Sequence, residues 1–105
     1  MKTNGEFRRA YARGKSRTDP ALVTYCVKNR AGYCGFGITA SKKIGNAVCR
    51  NRCRRVIREA FRSLEANVRP GVTLVFVARS RTALKKSTEI AGIMSRQLEE
   101  LGAMM

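Results

Sequence analysis

The chain has 105 residues and a formal net charge of +15, from 22 Lys and Arg against 7 Asp and Glu, with no His. That length suits one domain spanning residues 1–105, and a hydrophobic share of 44% supplies a modest core rather than a disordered basic tail. No stretch approaches the roughly 18 apolar residues of a membrane span, and the opening residues, with Lys2, Glu6, Arg8 and Arg9, lack the apolar block of a secretory signal.

Thr3-Asn4-Gly5-Glu6 reads as a capping box, followed by Phe7, Ala10 and Tyr11 on one helical face and Gly14 as a stop, which predicts an N-terminal helix. Lys15 to Pro20 is polar and is expected to be a loop. Leu22 to Lys28 is rich in β-branched and aromatic residues and predicts a strand. Alternation places Val23, Tyr25 and Val27 on one of its faces and Leu22, Thr24, Cys26 and Lys28 on the other. Asn29 to Gly32 reads as the turn of a hairpin leading to a second strand near Tyr33–Ala40, in which Gly35 and Gly37 share a face.

A basic connection, Ser41 to Asn46, precedes a long predicted helix reaching about Glu65. Cys49, Cys53, Val56, Ile57, Ala60, Phe61 and Leu64 form its apolar stripe. At about 100° per residue, Arg50, Asn51, Arg54, Arg55, Arg58 and Arg62 fall on the adjoining flank. Arg69-Pro70-Gly71 breaks the chain, and the nearly continuous apolar run Val72–Ala78 predicts a central strand covered on both faces. The segment Ser87–Leu101 has Ile90, Met94, Leu98 and Leu101 on one helical face. The expected fold is an α/β (α+β) single-domain sandwich in the order helix, strand, strand, helix, strand, helix.

Charge carries the functional signal. Residues 1–62 hold 16 basic and 3 acidic side chains, whereas residues 63–105 hold 6 and 4. A field this positive attracts polyanions, above all nucleic acid. An anionic membrane surface would instead call for an amphipathic Lys/Arg helix with Trp or Phe on its apolar face, and the chain has no Trp. Between Ser41 and Arg62 eight residues are basic and one is acidic. Arg makes bidentate contacts with phosphate, so a row of Arg on one helical flank suits a folded backbone. Cys26, Cys34, Cys49 and Cys53 form no CxxC pair and have no His to complete a site. They are expected to be reduced thiols in a cytoplasmic protein, with no metal bound by the protein. The absence of His and the scattered carboxylates argue against a protein-borne catalytic centre.

The run Ser41-Lys42-Lys43, Gly45-Asn46-Ala47-Val48, Arg50-Asn51-Arg52, Arg54-Arg55 and Arg58-Glu59 closely resembles the signature of the bacterial ribonuclease P protein family. The likeness extends along the chain through Phe7, Tyr11, Gly14-Lys15, Tyr25 and Val75-Phe76-Val77-Ala78-Arg79. Gly35 stands where the family commonly has Arg, and Thr73 where an Asp usually precedes the last strand. The resemblance implies a sandwich with an unusual left-handed βαβ crossover, against the general right-handed rule. It also implies a protein subunit of an endoribonuclease whose catalytic subunit is an RNA that removes the 5′ leader of precursor tRNA. The Mg2+ ions would serve the ribonucleoprotein, and no cofactor would be bound by the protein alone. The implied partners are the catalytic RNA and precursor tRNA, with no membrane and no small-molecule substrate.

Lys42, Lys43, Asn46, Arg50, Asn51, Arg52, Arg54, Arg55, Arg58 and Arg62 are then the expected RNA-binding residues, and Phe7, Tyr11, Tyr25 and Phe36 the expected leader cleft. Stacking faces and cations are what leader recognition without sequence preference requires. A small ribosomal protein is the alternative that composition alone allows. Phe7→Ala or Tyr11→Ala should weaken binding of precursor tRNA more than that of mature tRNA, by about 1–3 kcal/mol for each stack removed. Paired equilibrium titrations with the two ligands check this.

Overall fold

The run Val72–Ala78 needs hydrogen-bonding neighbours on both edges and cover on both faces. In the computed structural model, which describes residues 15–28 and 34–104, it has both neighbours. The sheet is four-stranded, in the order β1-β2-β4-β3, with β1 Lys15–Asp19, β2 Leu22–Lys28, β3 Gly35–Thr39 and β4 Val72–Ala78. β2 runs antiparallel to both β1 and β4, and β3 runs parallel to β4. Helix α1, Ala47–Leu64, connects the parallel pair, and α2, Ser87–Glu100, follows β4. The predicted N-terminal helix, with Phe7 and Tyr11, and the predicted Asn29–Gly32 turn lie outside the described residues.

Two expectations are corrected. Lys15–Asp19 is a strand, not a loop, pairing from Lys15↔Cys26 to Asp19↔Leu22. Its five residues carry no apolar alternation because β1 is a sheet edge and four of them are exposed; such polar, charged edges resist pairing with other chains. Its turn into β2 is tight, and Asp19 Oδ1 accepts a hydrogen bond from the Ala21 amide at 2.9 Å. Second, β2 and β3 do not form a hairpin, because β4 lies between them. The apolar β4 is satisfied only as an interior strand, which forces its sequence-consecutive neighbours apart.

Register assigns the faces. Cys26, Leu74 and Phe36 lie in one row, and Thr24, Phe76 and Ile38 in the next. These residues point toward the helices. Tyr25, Val75 and Gly37 occupy the opposite face, as do Val23, Val77 and Thr39. Val75 is fully buried and Val23 is 8% exposed, although neither belongs to the cluster between sheet and helices. On α1 the buried residues are Cys53, Val56, Ile57, Ala60 and Phe61, the middle of the predicted stripe; Cys49 and Leu64 at its ends are half-buried. The Phe61 ring centroid lies 4.5 Å from that of Phe36 and 5.4 Å from that of Phe76, the spacing of favourable aromatic pairs. Ile90, Met94 and Leu98 of α2 are fully buried beside them.

One polar device joins α2 to the sheet. Gln97 is 5% exposed; its Oε1 accepts from the Thr24 hydroxyl at 2.6 Å and its Nε2 donates to the Leu22 carbonyl at 2.9 Å. A buried amide is tolerable only when both ends are matched in this way. Gln97→Ala strands the Thr24 hydroxyl and opens a void, and should lower stability by about 2–4 kcal/mol, read from the urea midpoint.

Candidate nucleic-acid interface

The entry to α1 is built by local rules. Lys42–Ile44 form a single 3-10 turn closed by the Ile44 amide on the Ser41 carbonyl. Gly45 follows at φ 153°, where an added Cβ would come within 3.3 Å of Cys49 Cβ, so glycine is demanded there. Asn46 then caps the helix, its side chain accepting from the Cys49 amide at 3.0 Å. No acidic residue occupies the first turn, so the positive end of the helix dipole adds to Lys42 and Lys43, both exposed.

Beyond the cap, Asn51, Arg52, Arg55, Arg58 and Arg62 are exposed, and Arg50 and Arg54 are half-buried. Among the described residues the ion pairs are Arg17–Glu100 at 2.9 Å and Lys85–Glu89 at 3.7 Å; neither involves α1. Among the described residues no carboxylate, Glu59 of the same helix included, is ion-paired with the ridge. Arg54 Nη1 donates to Asn51 Oδ1 at 3.2 Å, which orients the asparagine amide. Arg50 Nε is shut off from solvent and has no hydrogen-bond partner among the described residues. A desolvated guanidinium N–H is costly alone and gains most from an anion. Asn46, expected from the sequence to bind RNA, already has a structural task as the cap.

Arg52 sits apart from the row. At about 100° per residue it projects toward the opposite flank, and its Nε donates to the Ala83 carbonyl in the 3-10 turn Thr82–Leu84 at 3.0 Å. That hydrogen bond brings in cations which sequence patterns alone did not single out. Arg79, Arg81 and Lys86 are exposed around the same turn, and Leu84 and Val48 are unusually exposed apolar residues at 81% and 78%. A sequence signal exists: residues 79–86 hold four basic and no acidic side chains. Their nearness to a helix some 30 residues earlier is a tertiary fact.

The four expected cleft aromatics are not brought together by the described residues. Phe7 and Tyr11 lie outside them. Tyr25 is half-buried on the face away from the helices, whereas Phe36 is on the helix side, against Phe61. Phe36 is therefore a half-buried ring packed against the helix-side core, and strand alternation puts it on the other sheet face from Tyr25. The two departures noted in the sequence, Gly35 and Thr73, are register partners across β3 and β4. A family Arg and Asp at these positions would face each other, so both charges are absent together.

The remaining chemistry is quiet. All four cysteines are free. Burial first, then the Glu65 carboxylate and Cys26, push the Cys34 thiol up to about 11, and burial also raises Cys26 and Cys53. These groups are protonated at neutral pH and poor as nucleophiles or ligands. Among the described residues no three His, Cys, Asp or Glu stand together as a metal site. Asp19 is used in a turn, while Glu89 and Glu100 are engaged with Lys85 and Arg17.

A small α+β sandwich carrying a rigidly mounted, unneutralised guanidinium ridge defines a polyanion-binding protein of the nucleic-acid class. The ribonuclease P family model matches residues 1–102. A ribonuclease P protein component from Clostridioides difficile is 44% identical over 80 residues, covering 75% of this chain and 70% of the relative. One from Clostridium botulinum (strain Langeland) is 38% identical over 103 residues, covering 97% and 93%. The RNase P protein of Staphylococcus aureus superimposes with a TM-score of 0.86 at 28% identity, over 100% of this chain and 96% of that one. That of Thermotoga maritima shares the fold, with a TM-score of 0.80 at 24% identity, over 96% and 95%.

The chain belongs to the ribonuclease P protein family, whose members are protein components of a tRNA-processing endoribonuclease. The ribosomal-protein alternative, open on composition alone, is set aside by this match. Asn46→Ala should lower stability by about 1 kcal/mol through removal of the cap, whereas Asn46→Asp keeps the cap and opposes RNA by charge. Thermal melts and RNA titrations of the two variants separate the roles.

Proposed function

We propose that the α1 ridge grips the catalytic RNA of ribonuclease P and that the opposite face of the sheet receives the 5′ leader of precursor tRNA. The observation that carries this reading is the exposure of Arg55, Arg58 and Arg62, with Lys42 and Lys43, in an arginine row that no carboxylate of the described residues pairs with. Such cations replace counterions on a phosphate backbone, and their fixed spacing sets the protein's position on the folded RNA. Arg50 contributes a half-buried donor, and Asn51, held by Arg54, contributes an amide able to donate and accept.

Tyr25 supplies a ring on the sheet face away from the ridge, with Phe7 and Tyr11 as its expected companions. Two faces then serve two ligands: one holds the ribozyme, the other lengthens the binding site for the substrate beyond the tRNA body. Substrate that still carries its leader is bound more tightly than product, which favours turnover. The protein residues bind and orient; the bond cleavage belongs to the RNA. The carboxylates of the described residues do not fit a protein-held Mg2+ site, so no catalytic step is assigned to them. The metal ions belong to the ribonucleoprotein, and the complex acts in the cytoplasm.

The decisive experiment is reconstitution. Added to a bacterial catalytic RNA at low Mg2+, the chain should strongly stimulate precursor-tRNA cleavage, and no stimulation would refute the assignment. Arg55→Ala/Arg58→Ala should weaken binding of the catalytic RNA and reduce its log–log salt slope by about 0.7–0.9 for each phosphate no longer neutralised. A slope equal to that of the parent would remove these residues from the interface.

A further inference from the structure

Among the described residues, the large apolar side chains left exposed are Val48 and Leu84. Val48 lies in the first turn of α1, one turn before Arg52 and on the same side of the helix. The Arg52 Nε donates to the carbonyl of Ala83, the residue before Leu84. Two elements far apart in sequence thus bring their exposed apolar residues to one guanidinium. Single exposed apolar residues are ordinary on a protein surface. Here, however, the exposure is built into a rigid turn.

That turn, Thr82–Leu84, is closed on itself: the Leu84 amide donates to the Arg81 carbonyl at 3.1 Å and the Lys85 amide to the Thr82 carbonyl at 3.2 Å. It is also pegged to the core. Thr82 is fully buried, and its hydroxyl donates to the Ala21 carbonyl and accepts from the Arg79 amide at 2.9 Å. Ala83 packs against the helix-side core. The backbone that carries Leu84 is therefore fixed, and only its side chain is left to solvent.

The rim is cationic. Arg79, Arg81 and Lys86 are exposed and belong to neither ion pair of the described residues. Glu89 is occupied, facing Lys85 at 3.7 Å and accepting from the Lys86 amide at 3.3 Å. Glu59 bounds the patch, two turns beyond Arg52 and about 10 Å along the helix axis. An apolar centre inside a basic rim calls for a partner with both a flat apolar face and negative charge. Two aliphatic side chains fall far short of the roughly 800 Å2 that each partner gives to a stable protein–protein interface. They do match the face of one base, and aliphatic side chains pack against unstacked bases in nucleic-acid complexes. Paired RNA hides its base faces, so the matching occupant is an unpaired nucleotide.

We infer that Leu84, with Val48 and the Arg52 guanidinium, docks an unpaired base of the catalytic RNA, while Arg79, Arg81 and Lys86 hold its flanking phosphates. This rests on the reading that α1 grips that RNA: Val48 and Arg52 belong to the same helix, so the patch continues the ridge. The leader is assigned to the Tyr25 side of the sheet, which the patch does not share. The apolar contact displaces no counterion, so it adds affinity that salt does not screen, unlike the arginine row.

The experiment titrates the catalytic RNA with the full chain and its variants over a range of salt. Leu84→Gln should weaken binding about fivefold or more at every salt concentration, with a log–log slope equal to the parent's. Leu84→Met, which keeps the apolar surface, should bind like the parent. Arg81→Gln/Lys86→Gln should instead lower the slope by about 0.7–0.9 for each phosphate released. Because backbone bonds and Thr82 hold the turn, the position-84 variants should melt with the parent. At saturating protein, 2′-hydroxyl acylation should find an unpaired nucleotide that the parent protects and Leu84→Gln leaves reactive. Undiminished affinity of Leu84→Gln, a reduced salt slope in that variant, or a loss confined to precursor tRNA would each overturn the inference. If Arg55→Ala/Arg58→Ala weakens the complex and Leu84→Gln does not, the ridge stands and the base-docking site falls. A parent chain that fails to bind the catalytic RNA overturns both.

Discussion

Phe61 packs against both Phe36 of β3 and Phe76 of β4, at 4.5 and 5.4 Å between ring centroids, and through that packing α1 is held on the sheet. Cys53, Ile57 and Ala60 complete the seam with at most 1% exposure. A helix carrying this many like charges would gain little from forming alone, since neighbouring arginines repel one another. Burial of its apolar stripe supplies the compensating free energy, at about 25 cal/mol per Å2 of apolar surface removed from water. The same seam fixes the helix rotation, and so the direction in which every arginine points.

Rigidity is what turns this charge into recognition. A flexible basic tail also condenses onto nucleic acid, but it orders only on binding and at an entropic cost. Here the cap at Asn46 and the glycine at position 45 set the start of the helix, and the core seam sets its face. Arg52, tied to Ala83, links the ridge to the 3-10 turn after β4 and widens the basic surface to Arg79, Arg81 and Lys86. The opposite sheet face is shaped separately, because strand alternation sends Tyr25 and Val75 away from the helices. One thin sheet thereby keeps its basic helix side and its Tyr25 side apart.

Strand alternation separates two of the aromatics that the sequence placed in one cleft. Phe36 belongs by alternation to the helix side. The neighbouring departures, Gly35 and Thr73, make sense as a pair only once β3 and β4 are seen in register.

Local patterns in the chain were enough for the long basic helix, the α2 stripe and the central position of Val72–Ala78, because 3.6-residue periodicity and an unbroken apolar run are local properties. The motif around Arg50-Asn51-Arg52 was equally local, and with it the family. The edge strand Lys15–Asp19 was invisible because a strand exposed on its outer edge needs no apolar residues; only β2 beside it makes it a strand. The insertion of β4 between β2 and β3, the sorting of Phe36 from Tyr25, and the meeting of Arg52 with Ala83 were decided by tertiary structure. Each depends on which segments pair across long stretches of chain, and that choice is made by the free energy of burying the whole sheet rather than by any one stretch of residues.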